Sequence, residues 1–263
     1  MERDRIIVVK IGGVALGSND TTVEDIVSLQ QQGKQLVVVH GGGKLITSWL
    51  KIHGVATRFV DGQRVTDRNS LDVAVAVLAG LVNKEIVAAI NQLGGRATGI
   101  SGADGSLVQC RIEDEKLGYV GRVVRVNTEL LDTLLQAGQV PVISPLGIYA
   151  FDRPEDAPHI LNINGDIFAG EIAAAIEAEQ LVFLTDVPGI CDRSGNLLPR
   201  LSAREAEELV VSGIASGGMI PKIRGCIRVV NIASITCIID GRQPHALRQQ
   251  IEGRGGGTTI YKD

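Results

Sequence analysis

The chain has 263 residues, of which 44% are apolar and 21% charged, and its formal net charge is −4. This composition excludes an intrinsically disordered chain, and the lack of a basic tract argues against nucleic-acid binding. No signal peptide is apparent, and no apolar stretch approaches the roughly 20 residues of a membrane span, so we expect a cytoplasmic protein without a membrane partner.

Short β-branched runs alternate along the chain with longer helical patterns. Strands are predicted at residues 6–11, 35–40, 96–100, 140–144, 181–185 and 234–240. Helices are predicted at residues 22–32, 44–53, 71–93, 130–137, 166–178, 203–212, 219–230 and 245–251. The strands are continuous apolar runs, which is typical of strands buried on both faces. The chain is therefore predicted to be an α/β protein, a three-layer αβα sandwich with a mostly parallel central sheet.

Two regions interrupt this alternation. Residues 53–66 and 105–126 are predicted to form hairpin insertions, with turn signals at Asp61-Gly62 and at Gly118. The loop at residues 149–159 is the expected seam between two lobes. No flexible linker separates the lobes, so we expect them to share one continuous sheet.

The stretch HGGGK, residues 40–44, follows a predicted strand and begins a predicted helix. It is not a Walker A motif, because Leu45 follows Gly43-Lys44, and its contiguous glycines do not fit the dinucleotide fingerprint. Backbone N–H groups at a helix N-terminus can bind an anion. The alternative interpretation is a tight strand–helix turn.

Three further polar elements lie near predicted strand or helix ends. Lys10 interrupts an apolar run just before Gly12, and it either reaches solvent from an edge strand or faces the same anion as the glycines. In NINGD, residues 162–166, Asn164 or Asp166 could cap a helix. Lys222 lies near a helix N-terminus, which is electrostatically unfavourable unless an anion binds there.

These elements, taken in order, resemble the amino-acid kinase family over residues 6–260. Within the family, DGQRVTD and IIDGRQPHAL favour the branch that phosphorylates N-acetyl-L-glutamate over the uridylate, aspartate and carbamate kinases. The motifs that carry the resemblance are KIGG (10–13), HGGGK (40–44), DGQRVTD (61–67), GLVNKEIV (80–87), NINGD (162–166), LTDVPGI (184–190), GGMIPK (217–222) and IIDGRQPHAL (238–247).

The resemblance implies a single kinase domain over residues 1–263, in which residues 1–155 hold the acceptor and residues 156–263 hold ATP. The implied reaction moves the γ-phosphoryl group of ATP to the side-chain carboxylate of N-acetyl-L-glutamate, in arginine biosynthesis. Gly165 stands where the family usually has alanine. Because relatives acting on a carrier-linked aminoadipate in lysine biosynthesis also have glycine there, that acceptor is the alternative. A nucleotide-binding regulatory subunit without turnover is a third reading.

Site residues follow from the resemblance position by position. The expected catalytic residues are Lys10 and Lys222, on opposite sides of the transferred phosphoryl group, with Asp166 between them. Magnesium would be held mainly by phosphates and water, without protein ligands. The expected acceptor-binding residues are Gly42, Gly43, Arg64, Asn162 and Asn164. The expected nucleotide-binding residues are Gly12, Gly13, Thr185, Asp186, Val187, Gly189, Ile190, Cys191, Ile214, Ala215, Ser216, Gly218 and Met219.

An oligomeric state is also implied. Arginine-inhibited members of the family carry an additional N-terminal helix, whereas this sequence begins at its first strand. The expectation is a homodimer with weak or no arginine inhibition. Its seam would involve the helix at residues 44–53 and the long helix that follows, with Trp49 either in the core or at the interface.

The cysteines give no sign of a metal site. No pair of them has CxxC spacing, and no histidine–cysteine cluster is typical of zinc. We expect buried, reduced thiols. The cysteines are Cys110, Cys191, Cys226 and Cys237.

Overall fold

The computed structural model describes residues 6–12, 20–60, 62–150, 152–233 and 235–263. Gly13, one of the expected nucleotide-binding residues, lies outside these ranges, as does Asp61 of the hairpin turn. The strands are β1 (Ile6–Ile11), β2 (Gln35–His40), β3 (Phe59–Val60), β4 (Gln63–Arg64), β5 (Ala97–Ser101), β6 (Val108–Ile112), β7 (Gly121–Val126), β8 (Val140–Ser144), β9 (Leu146–Tyr149), β10 (Ile160–Asn162), β11 (Gln180–Thr185), β12 (Arg200–Ser202), β13 (Ile235–Asp240) and β14 (Thr258–Tyr261).

One sheet of eight strands runs through both halves of the chain, in the order β12-β14-β13-β11-β1-β2-β8-β5. Its neighbours pair in parallel except β13 and β14, which are antiparallel. The expectation of one continuous, mostly parallel sheet is confirmed. The loop at residues 149–159 connects β9 to β10, and the division of the chain into two lobes there remains a prediction.

Helices cover both faces of this sheet. Alternate residues of β1 enter different cores. Val8 belongs to the core that includes residues of helices 165–175 and 219–229, whereas Val9 belongs to the core that includes residues of helices 22–31 and 83–92. This confirms the three-layer arrangement. The helices are α1 (Thr22–Gln31), α2 (Gly43–Ile52), α3 (Arg68–Val75), α4 (Asn83–Gln92), α5 (Glu129–Gln136), α6 (Gly165–Ala175), α7 (Ala203–Val211), α8 (Met219–Val229) and α9 (Ala246–Ile251).

The two predicted insertions form hairpins. Strands β3 and β4 pair alone, whereas β6 and β7 join β9 and β10 in a second sheet of four strands, ordered β10-β9-β6-β7. This second sheet was not predicted, because β9 and β10 are only four and three residues long.

A single long helix, Arg68–Gln92, consists of α3, a π-helical segment (Ala76–Val82) and α4. By length and composition alone it could span a membrane, so the expectation that no stretch approaches this length was wrong. The core helix of a soluble protein passes the same test. Here 33% of the apolar window is buried within the protein, and Asn83 is fully buried against a strand carbonyl. One such helix is weak evidence for a membrane span.

Candidate active site

The carboxyl ends of β1, β2 and β11 meet at one edge of the central sheet. Because β1 lies between the other two in parallel register, Lys10 is flanked by Val39 and Phe183. Gly12 follows directly and donates its N–H to Leu184 O at 3.1 Å. A Cβ at Gly12 would lie 2.9 Å from that oxygen, so the two chains approach this closely only with glycine. Parallel topology therefore brings the predicted loops to one place.

Two lysines and one aspartate form a buried ion cluster at this edge. Lys10 Nζ lies 2.6 Å from Asp166 Oδ1, and Lys222 Nζ lies 2.9 Å from Asp166 Oδ2. All three side chains are at most 13% exposed. Burial would raise the pKa of Asp166, but the charges and hydrogen bonds of both lysines outweigh it and hold that pKa below its usual value. Asp166 is thus ionised, and it fixes two ammonium groups side by side.

Two glycines that the sequence analysis did not single out let α6 meet α8. A Cβ at Gly170 would lie 2.9 Å from Gly225 Cα, and one at Gly225 would lie 2.9 Å from Asp166 O. The two helix backbones therefore nearly touch, which brings Asp166 on α6 within reach of Lys222 on α8. A glycine inside a predicted helix indicates a possible close packing contact. That Gly170 and Gly225 contact each other could not be predicted from one sequence.

Arg64, at the end of the β3–β4 hairpin, is buried with 7% of its surface exposed. Its Nη2 donates to Gly43 O at 2.9 Å and to Thr47 Oγ1 at 2.7 Å, while Phe59 covers the guanidinium at 4.7 Å. Burial lowers its pKa. Its Nη1 has no hydrogen-bond partner among the described residues. A buried guanidinium with unused N–H donors is chemically suited to bind a carboxylate.

Two adjoining cavities surround the ion cluster. The larger, of about 410 Å³, includes Lys222, Gly12, Thr185, Asp186 and Gly218 in its lining. The smaller, of about 170 Å³, is lined by Asp166 and by every expected acceptor-binding residue, namely Gly42, Gly43, Arg64, Asn162 and Asn164. Lys10, Gly43 and Phe59 line both cavities. The arrangement offers two binding spaces that meet at Lys10, with Lys222 on the side of the larger one.

The other expected nucleotide-binding residues lie beyond the lining of the larger cavity. The side chains of Ile190 and Ala215 belong to the hydrophobic core, so only their backbones could contact a ligand. Val187, Gly189 and Cys191 follow β11, while Ile214, Ser216 and Met219 lie just before or at the start of α8. Their proposed contact with a nucleotide stays a prediction.

The NINGD segment has two separate structural tasks. Asn164 caps α6, since its Oδ1 accepts from Asp166 N at 2.9 Å and from Ile167 N at 3.2 Å. Asn162 instead donates its Nδ2 to Thr66 Oγ1 at 3.3 Å. A Cβ at Gly165 would make only ordinary contacts, the nearest at 3.6 Å, so the alanine usual in the family would fit.

Comparisons with known proteins decide the family. The model of the amino acid kinase family matches residues 5–240. An acetylglutamate kinase of Dehalococcoides mccartyi (strain CBDB1) is 49% identical over 257 residues, which are 98% of this chain and 94% of that protein. The chain belongs to the amino acid kinase family.

Solved structures of the same shape extend this result. The crystal structure of smu.665 from Streptococcus mutans UA159 matches with a TM-score of 0.83 at 28% identity, over 99% of this chain and 100% of that one. N-acetylglutamate synthase from Neisseria gonorrhoeae, complexed with coenzyme A and N-acetyl-glutamate, matches with a TM-score of 0.84 at 27% identity, over 99% of this chain and 60% of that chain.

Contacts across the cleft of this amino acid kinase were not predicted. Lys44 Nζ on α2 lies 3.5 Å from Asp186 Oδ2 at the end of β11, and both side chains are largely exposed. In the β3–β4 hairpin, a Cβ at Gly62 would lie 2.8 Å from Gly217 O, so the hairpin touches the loop before α8. These contacts join the half that carries Arg64 to the half that carries Lys222.

Proposed function

We propose that the chain is an acetylglutamate kinase, which transfers the γ-phosphoryl group of ATP to the side-chain carboxylate of N-acetyl-L-glutamate in arginine biosynthesis. One observation carries the proposal: a buried arginine with unused donors lies in a cavity that ends at a buried lysine–aspartate–lysine cluster. The acetylglutamate kinases at 43–49% identity support it.

The geometry suits phosphoryl transfer to a carboxylate. A carboxylate is already nucleophilic at neutral pH, so catalysis reduces to positioning and to stabilising charge. Lys10 and Lys222 would supply two positive charges to the phosphoryl oxygens. Asp166, with its lowered pKa, stays ionised and holds both ammonium groups in place. Backbone N–H groups of Gly12 and the glycine loop would complete the oxygen contacts.

The smaller cavity would hold the acceptor. Arg64 Nη1 would donate to the α-carboxylate of the substrate, with Asn162 beside it, while its Nη2 stays anchored on Gly43 and Thr47. This leaves the side-chain carboxylate to point at Lys10, which is shared by both cavities. The β3–β4 hairpin would cover the bound acceptor.

The larger cavity would hold the phosphates of ATP, between Gly12, Thr185 and Gly218. Among the described residues, no group of three or more His, Cys, Asp or Glu side chains could hold a metal ion. Asp166 is buried between two lysines, whereas Asp186 makes only an exposed ion pair with Lys44 at 3.5 Å. These residues fit a magnesium ion that is held mainly by phosphates and water and neutralises charge on ATP.

The test is ATP turnover with N-acetyl-L-glutamate, with the acyl phosphate trapped by hydroxylamine as a hydroxamate. A parallel reaction offers N-acetyl-2-aminoadipate, whose side chain is one methylene longer. We expect hydroxamate from the first acceptor and at least tenfold less from the second, because a cavity of about 170 Å³ leaves little room for the extra group.

Two results would contradict the proposal. Hydroxamate from aminoadipate alone would favour the alternative acceptor, which the absence of a Cβ at Gly165 beside Lys10 permits. ATP binding without hydroxamate from either acceptor would favour a carrier-linked acceptor or a regulatory subunit without turnover.

The assembly and location are part of the same proposal. Exposed apolar side chains lie on α2 and on the long helix 68–92, and Ile52 on α2 is 74% exposed. Trp49 is half-buried and packs against a small core with Ile46 and Leu50. We propose a homodimer formed through this face, acting in the cytoplasm on small-molecule substrates.

A further inference from the structure

We infer that His40 is a positioning residue for the glycine loop at residues 41–43, and that Asn83 fixes its imidazole in the orientation this task requires. The inference deepens the proposed function and rests on it. It concerns the motif GLVNKEIV, residues 80–87, to which the reaction assigns no role.

Asn83 is a fully buried amide in the middle of a helix. It follows the π-helical segment directly, and such segments frequently occur at functional sites. Its Nδ2 lies 2.8 Å from Val142 O, 3.2 Å from Ile100 O and 3.2 Å from His40 Nε2. The amide therefore reaches from the helix to the ends of three neighbouring strands, β2, β5 and β8.

The sheet is built to accept this amide. A Cβ at Gly99 would lie 2.0 Å from Asn83 Oδ1, so only glycine leaves room for it. Asn83 Oδ1 accepts from Lys84 Nζ at 3.0 Å, and the same ammonium donates to Gly99 O at 3.1 Å. Both ends of the amide are thus hydrogen-bonded, which orients its Nδ2 toward His40.

The partners of His40 define its tautomer. Its Nδ1 lies 2.9 Å from Gly41 O, which can only accept, so Nδ1 carries the proton. Nε2 is then free to accept from Asn83 Nδ2, whose two N–H groups are shared among Nε2, Ile100 O and Val142 O. His40 is 1% exposed, and burial, assisted by the charges of Lys10 and Lys84, lowers its pKa to about 4. The imidazole is therefore neutral at pH 7 and donates to the loop.

The loop that His40 holds belongs to the candidate site. Gly41 donates to Ile11 O at 2.9 Å, so its carbonyl and its N–H are both fixed. Gly42 packs against the π-helical segment, since a Cβ there would lie 2.8 Å from Leu78 Cδ2. Gly42 and Gly43 line the smaller cavity. Fixing the Gly41 peptide sets the direction of the amides that follow, and preorganised donors are what charge stabilisation needs.

Two amide variants separate this role from packing. In His40→Asn the side-chain N–H can occupy the place of Nδ1 and reach Gly41 O, whereas in His40→Gln it lies near the place of Nε2. We expect His40→Gln to lower kcat by about tenfold and His40→Asn by less than threefold. The KM values for ATP and for N-acetyl-L-glutamate should change by less than threefold in both. Equal kcat values in the two variants, or a loss confined to KM, would overturn the inference.

A second test uses the unmodified protein, so its result does not depend on whether a variant folds. The chain has four histidines, so imidazole 15N and 13C chemical shifts can be assigned to His40 by comparison with the His40→Asn spectrum. We expect the neutral Nδ1–H tautomer at pH 7. An Nε2–H tautomer or an imidazolium would overturn the inference. Absence of turnover in the unmodified protein would instead contradict the proposed function, and the imidazole spectrum would still decide the orientation of His40.

Discussion

Asp166 is the common partner of both lysines in the ion cluster. It pairs with two ammonium groups that would otherwise repel each other, and all three side chains are nearly buried. Breaking a buried pair leaves an uncompensated charge, which is why each partner matters beyond its own contact with substrate.

Removing one of the two lysines tests this arrangement. Lys222→Ala deletes one positive charge from the phosphoryl site, so we expect kcat to fall by about 10²–10³. Binding of ATP should persist, because the remaining lining of the larger cavity is intact. The check is hydroxamate formation together with calorimetric titration of ATP. Lys262→Ala, an exposed lysine near the end of the chain, is the matched control. Undiminished turnover in Lys222→Ala would show that this lysine has no catalytic part.

His40 makes stability depend on pH. An unfolded histidine has a pKa near 6.5, whereas burial lowers that of His40 to about 4. Between these values the unfolded state binds more protons, so the free energy of unfolding decreases as pH falls through this window. We expect a decrease of about 2 kcal/mol between pH 7 and pH 5 from this residue.

Urea unfolding at the two pH values measures that change. His40→Asn cannot take up a proton, so the difference between pH 7 and pH 5 should shrink by about the same 2 kcal/mol in this variant. An equal pH dependence in both proteins would mean that the pKa of His40 is the same in the folded and unfolded states, so that burial does not lower it.

At the scale of helices and strands, the crossing of α6 and α8 determines whether the ion cluster can form. Gly170→Ala would place a Cβ 2.9 Å from Gly225 Cα and separate the two helices. We expect a loss of stability of about 1–3 kcal/mol, as for overpacked cores, and a fall in kcat because Asp166 moves away from Lys222. Thermal unfolding and turnover measure the two effects.

Gly165→Ala is the control on the same helix. Its Cβ would make only ordinary contacts at 3.6 Å and beyond. Because the added methyl group meets no close contact at this first residue of α6, the variant should be as stable as the parent. Equal losses of stability in Gly165→Ala and Gly170→Ala would show that α6 tolerates no added methyl group at either position. The close crossing of α6 and α8 would then not explain the loss in Gly170→Ala.

The elements most visible in the sequence are those buried on both faces. Strands β1, β2 and β8 match their predicted bounds, because parallel strands between two helical layers are continuous apolar runs. Strands β10 and β12 were missed, since three residues carry no periodicity. The π-helical segment was read as ordinary helix, because its apolar spacing differs too little from that of an α-helix.

The candidate site, like the fold, was predicted only in part from the sequence. Lys10, the glycine loop and Lys222 were predicted, because a lysine in an apolar run and clustered glycines are unusual locally. The pairing of Gly170 with Gly225 and of Asn83 with His40 was not, since each joins residues distant in sequence. Contacts of this kind depend on how two elements cross, which a single sequence does not encode in a readable pattern.

At the scale of the whole molecule, one continuous sheet carries both cavities. Strand β1 contributes Lys10 and pairs directly with β2 and β11, whose ends lead into the two binding spaces. Relative motion of the halves is therefore limited by a shared sheet, while the β3–β4 hairpin and the Lys44–Asp186 pair join them only at the surface. We expect any movement on substrate binding to occur in the β3–β4 hairpin and not in the shared sheet that carries Lys10.

The association of two chains is also a property of the whole molecule. Exposed apolar side chains on α2 and the long helix, including Ile52 at 74% and Leu81 at 39% exposure, form the face proposed to pair two chains. Ile52→Glu would bury a charge at that interface, so we expect the mass in solution to fall from that of two chains to the 27.9 kDa of one. Light scattering coupled to size-exclusion chromatography measures this mass.

Val211→Glu is the control: it adds the same charge on α7, where Val211 is 81% exposed, and should leave the dimer intact. A dimer that survives Ile52→Glu but dissociates in Val211→Glu would place the interface at α7 instead.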